Sequence, residues 1–132
     1  MDRRVRDLMR RDFIRIEPDE DLGSVASLMG MARLRVLPVV AEGRLTGMID
    51  HRVLARAALA RACGGEGLAA PIDAYVDAVE PIDPDATLRE AAELMVAEHL
   101  PCLPVSAGEG SERRLVGLLT EGDLLRAAYA RS

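Results

Sequence analysis

Apolar positions along the chain follow two different periods, and the whole arrangement is written twice. Leu22, Val25, Ala26 and Met29 fall at i, i+3, i+4 and i+7, the stripe of one helical face. Leu88, Ala91, Ala92 and Met95 repeat it sixty-six positions later (88 − 22). Each stripe is preceded by a short extended run broken by proline, Phe13 to Ile16 and Val79 to Ile82. Each is followed by two short β runs: "VLPVV" and "LTGMI" around the turn "AEGR", then "CLPV" and "LVGLL" around the longer polar loop "SAGEGSERR". A closing helix is predicted over Arg52 to Ala62 and again over Glu121 to Ala130. Thr87 with Glu90 makes a capping-box signature at the start of the second striped helix.

Set "IEPDEDLGSVASLMGMARLRVLPVV" above "IDPDATLREAAELMVAEHLPCLPVS" and the two align without a gap. Self-similarity on this scale means repeated supersecondary units, neither of which buries its own apolar face well. The predicted class is therefore α/β (α+β), two β-α-β-β-α repeats packed with pseudo-two-fold symmetry. Repeat 1 spans 1–62, repeat 2 spans 72–132, and "CGGEGLAAP", 63–71, is a linker by composition.

Composition narrows the function. The chain of 132 residues is 49% hydrophobic but only 2% aromatic, so its core is aliphatic, and it lacks the stacking platforms of single-strand binders. A net charge of −5 argues against nucleic acid as a partner, although all 17 basic residues are arginine. The first fifteen residues carry six arginines against three aspartates, which reads as a solvated mixed-charge helix. Cys63 and Cys102 have no metal-ligand spacing, and Cys102 sits in an apolar run as a small buried hydrophobe. No apolar stretch reaches the length of a membrane span or a signal-peptide core, so the expectation is a soluble, cytoplasmic protein without a membrane partner. The two histidines and lone cysteines assemble no activated nucleophile, metal cluster or acid pair, so no enzyme and no metal site is expected.

The doubled order of "VRDLM", "IEPDEDLGSVASLM", "RVLPVV", "TGMI", "IDPDATLREAAELM", "CLPV" and "GLLTEGDLL" resembles a tandem pair of cystathionine-β-synthase (CBS) domains, a Bateman module, here standing alone. The resemblance covers nearly the whole chain. It implies a regulatory module that binds an adenosyl ligand without transforming it, dimerises through its helices and acts on another protein.

Within that frame the join "GLLTEGDLL" carries the chemistry. A carboxylate such as Asp123 accepts two bonds at once from a vicinal diol such as a ribose 2′,3′ pair. Thr120 stands at a helix start, where free N–H groups attract an anion. The resemblance assigns Thr120 to phosphate or ribose and Asp123 to ribose. The same T-x-x-D is also a helix-capping pattern worth about 1 kcal/mol. The first copy reads "GMIDHRVLA": Asp50 and Val53 replace the pair, so its cleft is expected to be dead for nucleotides and one ligand per chain is expected.

By the resemblance, Arg35, three residues before the strand proline, reaches the phosphate of the ligand held by Asp123; Pro101 is its uncharged counterpart. Arg52 and His51 are further phosphate contacts, and Val79, Ile82, Leu103 and Pro104 line the base. No cofactor is required. The expected ligand is AMP, ADP or ATP, with S-adenosylmethionine or NAD as other adenosyl choices. The expected partners are that small molecule, a second copy in a homodimer and an unidentified regulated protein. The alternative is a ligand-free dimerisation or docking module whose T-x-x-D only caps a helix.

Overall fold

Proline and glycine punctuation cuts the chain into short elements that a computed structural model describes over residues 3–64, 72 and 76–129. They are α1 Val5–Leu8, α2 Leu22–Ala32, β1 Val36–Ala41, β2 Arg44–Asp50, α3 His51–Ala62, α4 Leu88–Glu98, β3 Cys102–Ala107, β4 Arg114–Thr120 and α5 Glu121–Tyr129. Most of the linker, 65–71, and the end of the last predicted helix at Ala130 lie outside the described residues.

The chain divides into two compact units, and these are not the sequence repeats taken whole. One unit is 14–79; the other joins 1–13 to 80–132. In the first, β1 and β2 form an antiparallel hairpin that pairs Val36 with Asp50 and Pro38 with Met48. The extended run before α2 contributes one residue, Ile16, in a parallel bridge to Val39, because Pro18 ends it. The other edge is closed by Asp77, bridged antiparallel to Met48.

The second unit repeats this residue by residue. Here β3 pairs with β4, Cys102 opposite Thr120 and Pro104 opposite Leu118. Ile82 bridges Val105 in parallel, and Arg10 bridges Leu118 on the far edge. Residues 3–13 thus complete the sheet of the second repeat, as the segment after the linker completes that of the first. Both hairpins shift register at the same place, Val39/Val40 and Val105/Ser106.

Each unit has its own aliphatic core. Ile16, Leu22, Val25, Leu37, Val39, Ile49, Val53 and Ile72 form one; Val5, Ala91, Leu103, Val105 and Leu119 lie at the centre of the other. The helical stripes predicted from spacing supply Leu22, Val25 and Met29, then Ala91 and Met95, as the buried faces of α2 and α4. Both helices end on a left-handed residue, Arg33 and His99, whose backbone N–H returns to the last turn. The predicted cap on α4 is present: Thr87 Oγ1 accepts from the Glu90 N–H at 3.1 Å.

Candidate functional site

The second β run of each unit feeds directly into a helix, and at that join the two units differ. In the second unit Thr120 ends β4 and caps α5: its Oγ1 accepts from the Asp123 N–H at 3.1 Å, and Asp123 Oδ2 accepts from the Thr120 N–H at 3.2 Å. Both halves of a reciprocal cap are therefore made. The Asp123 side chain keeps only 9% of its exposure, yet it is fully partnered. Arg10 grips it with Nε to Oδ2 at 3.2 Å and Nη2 to Oδ1 at 3.1 Å, and Arg126, one turn along α5, bonds Oδ1 as well. Burial pushes the Asp123 carboxyl up; the hydrogen bonds from Arg10 and Thr120 more than offset it, leaving the group below the usual carboxylate range. Beside it, burial and the Asp123 charge push the Cys102 thiol up to about 12, so this cysteine stays protonated and inert, as its apolar run predicts.

In the first unit the equivalent join is built of other chemistry. Asp50 caps α3, accepting from the Arg52 and Val53 N–H groups at 3.0 and 3.3 Å. The Arg52 guanidinium folds back on the same carboxylate, 3.2 and 3.0 Å from Oδ2. Val53, in the place of Asp123, is fully buried in the aliphatic core. His51 is exposed, and its N–H bonds the Arg35 carbonyl at 3.1 Å, as the Glu121 N–H bonds the Pro101 carbonyl in the second unit. Arg35 is exposed. The arginine one turn along the helix is retained as Arg56, but its acid has moved to the edge: Arg56 pairs with Asp77 at 4.0 Å, and Asp77 occupies the bridge position that Arg10 holds in the second unit.

The predicted site residues thus fall in two groups. Arg35, His51 and Arg52 lie together in the first unit, which also holds Val79. Thr120, Asp123, Ile82, Leu103 and Pro104 belong to the second, where the Ile82 N–H bonds the Pro104 carbonyl at 2.9 Å and Leu103 is fully buried. Arg113, at the end of the long loop, is anchored on Glu80 and on the Pro81 carbonyl, both at 3.1 Å.

Sequence reasoning missed Arg10 and Arg126. The i, i+3 spacing of Arg126 from Asp123 was a usable signal. Arg10 lies 113 positions away, inside a run of arginines, and only the sheet bridge to Leu118 singles it out.

Among the described residues no group of three or more His, Cys, Asp or Glu is placed to hold a metal ion. No helix among the described residues is long and apolar enough to cross a membrane. A separate open groove of about 880 Å³ runs between α4 and α5, lined by Leu88, Ala92, Met95, Val96, Leu124 and Leu125; it does not include Asp123.

Comparison with known proteins places these features in a family. The family model for the CBS domain matches twice, over residues 5–60 and 75–130. The CBS domain-containing protein YhcV of Bacillus subtilis (strain 168) is 28% identical over 120 residues, covering 91% of this chain and 81% of that protein. The crystal structure of protein MJ1225 from Methanocaldococcus jannaschii superposes with a TM-score of 0.83 at 29% identity; the match covers 95% of this chain and 47% of that one. CBSX2, solved in complex with AMP, shares the fold with a TM-score of 0.82 at 21% identity, covering 95% of each chain.

Proposed function

The chain belongs to the CBS domain family, carrying two copies of the domain, and from that premise we propose that it is a sensor module holding one phosphorylated adenosyl ligand at Asp123. The observation that carries this reading is the contrast between the two joins. A nearly buried carboxylate is set at a helix start beside Thr120 in one unit, and in the other Val53 closes the same position with core. Only the first arrangement has a carboxylate at that position, able to accept from a ribose diol beside the start of a helix. A family fold solved with AMP supports the ligand class, with NAD as the other phosphorylated choice and S-adenosylmethionine as the adenosyl choice without a phosphate.

Arg35, Arg52 and His51 enter as the phosphate contacts, and Val79, Ile82, Leu103 and Pro104 as the base contacts, to be tested by substitution. The module transforms nothing. Ligand binding acts on a regulated partner through its differential affinity for two arrangements. The apolar α4/α5 groove, with exposed Val96 and Leu125 in its lining, supports the homodimer. Light scattering at micromolar concentration checks that assembly: twice the chain mass is expected, and a monomer contradicts it.

One observation favours the structural alternative. The reciprocal cap between Thr120 and Asp123 is complete without any ligand. Thermal denaturation against AMP, ADP, ATP, NAD and S-adenosylmethionine separates the two. A ligand at a hundred times its Kd stabilises the folded state by about 2.7 kcal/mol. A rise of several degrees with one ligand, absent in Asp123→Ala, supports the sensor; no rise with any of them leaves the cap as the motif's whole role.

A further inference from the structure

Asp123 is filled to capacity. A carboxylate offers about four lone-pair sites, and Asp123 accepts Arg10 Nη2 and Arg126 Nη2 on Oδ1, and Arg10 Nε and the Thr120 N–H on Oδ2. Of these donors the Thr120 amide is fixed by the cap. Arg10 bridges both oxygens side-on, one donor to each, which is the geometry a vicinal diol would adopt. Ribose cannot take that position while Arg10 holds it. The arginine is free to leave, because its side chain is 56% exposed. Its backbone is not: the Arg10 N–H bonds the Leu118 carbonyl at 2.8 Å and its own carbonyl accepts from the Leu118 N–H at 3.0 Å.

We propose that Arg10 is the specificity residue of this site, an internal stand-in for the ribose diol that exchanges with it and then pairs with the ligand's phosphate. The inference rests on the reading of Asp123 as the ribose acceptor. In the exchange the diol takes the two carboxylate oxygens, and the displaced guanidinium, tethered at the bridge to Leu118, is left beside the ligand as an unpaired cation. A nucleoside without phosphate breaks the Arg10–Asp123 pair and replaces only one side of it. A nucleotide restores both, since its phosphate accepts the same bidentate fork. The site is thereby selective for phosphorylated ligands. The first unit agrees, because the bridge position there is Asp77, which could neither mimic a diol nor meet a phosphate.

Isothermal titration of adenosine and AMP into the full chain at neutral pH tests this, using wild type, Arg10→Gln, Arg10→Lys and Asp123→Asn. Wild type is expected to prefer AMP by about ten- to a hundredfold, the range of one charge-assisted pair. Arg10→Gln should bind adenosine several-fold tighter than wild type and lose most of the AMP preference. Arg10→Lys keeps a cation without the fork, so it should bind adenosine as Arg10→Gln does and retain preference for AMP. Equal adenosine affinity in wild type and Arg10→Gln, with the AMP preference intact, overturns the exchange while Asp123→Asn still abolishes binding. Adenosine binding that survives in Asp123→Asn, or binding of neither ligand to any form, overturns the ribose reading and the exchange with it. Melting curves of the Arg10 variants establish that they are folded.

Discussion

Asp123 accepts four hydrogen bonds while lying almost out of solvent, and the residue that stands in its place in the other unit, Val53, is core. That exchange of acid for hydrocarbon is the sharpest difference between two units whose hairpins match in register. Replacing Asp123 with Ala removes half of the cap on α5 and leaves Arg10 and Arg126 without their common partner. A loss of about 1–2 kcal/mol is expected, read as a melting point lower by a few degrees without ligand. An unchanged melting point would mean that solvent replaces the carboxylate at no cost. The pH dependence follows from the lowered carboxyl. Because Asp123 is held below the range of an unfolded aspartate, its contribution is complete above about pH 4 to 5 and is lost as pH falls further through the folded value. The stability gap between wild type and Asp123→Asn should therefore be constant near neutrality and close in acid; a gap that widens below pH 4 contradicts it. At this scale Thr120 and Asp123 were legible because they interrupt a repeat. The arginines were not, since their meaning depends on which of 17 identical cations the sheet brings to the acid.

Strands β2 and β4 each carry a glycine where the edge segment crosses. At Gly117 an added Cβ would lie 2.8 Å from Met9 Sδ and 3.0 Å from the Arg10 carbonyl oxygen; at Gly47 it would meet Val76 and, at 2.6 Å, the Asp77 carbonyl oxygen. The backbone of the edge segment therefore approaches only because no side chain intervenes. Gly117→Ala is expected to cost about 1–3 kcal/mol, typical of overpacking, and to weaken the bridge that positions Arg10. Amide exchange at Leu118 should speed up in that variant more than exchange within α4; uniform change would place the strain elsewhere. Helices α2 to α5 and both hairpins were readable from apolar spacing and turn residues, and the cap on α4 from Thr87 with Glu90. The extended runs before α2 and α4 were over-read, since proline limits each to one bridging residue, Ile16 and Ile82. The opening segment was read as a solvated helix. Among the described residues there, only the four of α1 are helical, and Val5 and Met9 are buried. Apolar positions scattered among six arginines are a weak periodic signal, and what buries Val5 and Met9 is a unit written some eighty to a hundred residues later.

The chain as a whole runs from one compact unit into the other and back, because residues 1–13 fold with 80–132. A second repeat cut out at Glu80 would lack Val5, Met9 and the edge bridge to Leu118. Its isolated fragment is expected to show no cooperative melting, whereas one with residues 3–13 linked to it should; cooperative melting of the bare fragment would refute the dependence. Met9→Ala in the intact chain should destabilise by about 2–5 kcal/mol, as for other buried methionines. The double writing of the sequence made the architecture and family legible at this scale, whereas the assignment of the first thirteen residues to the far repeat is a fact of three-dimensional closure that no local pattern records.

The claim on which the functional account turns is one adenosyl ligand per chain, held by Asp123. Calorimetric titration of AMP into wild type and Asp123→Asn measures it directly. The account predicts a stoichiometry of one per chain in wild type and loss of binding in the variant. Two ligands per chain, or undiminished binding by Asp123→Asn, would contradict it.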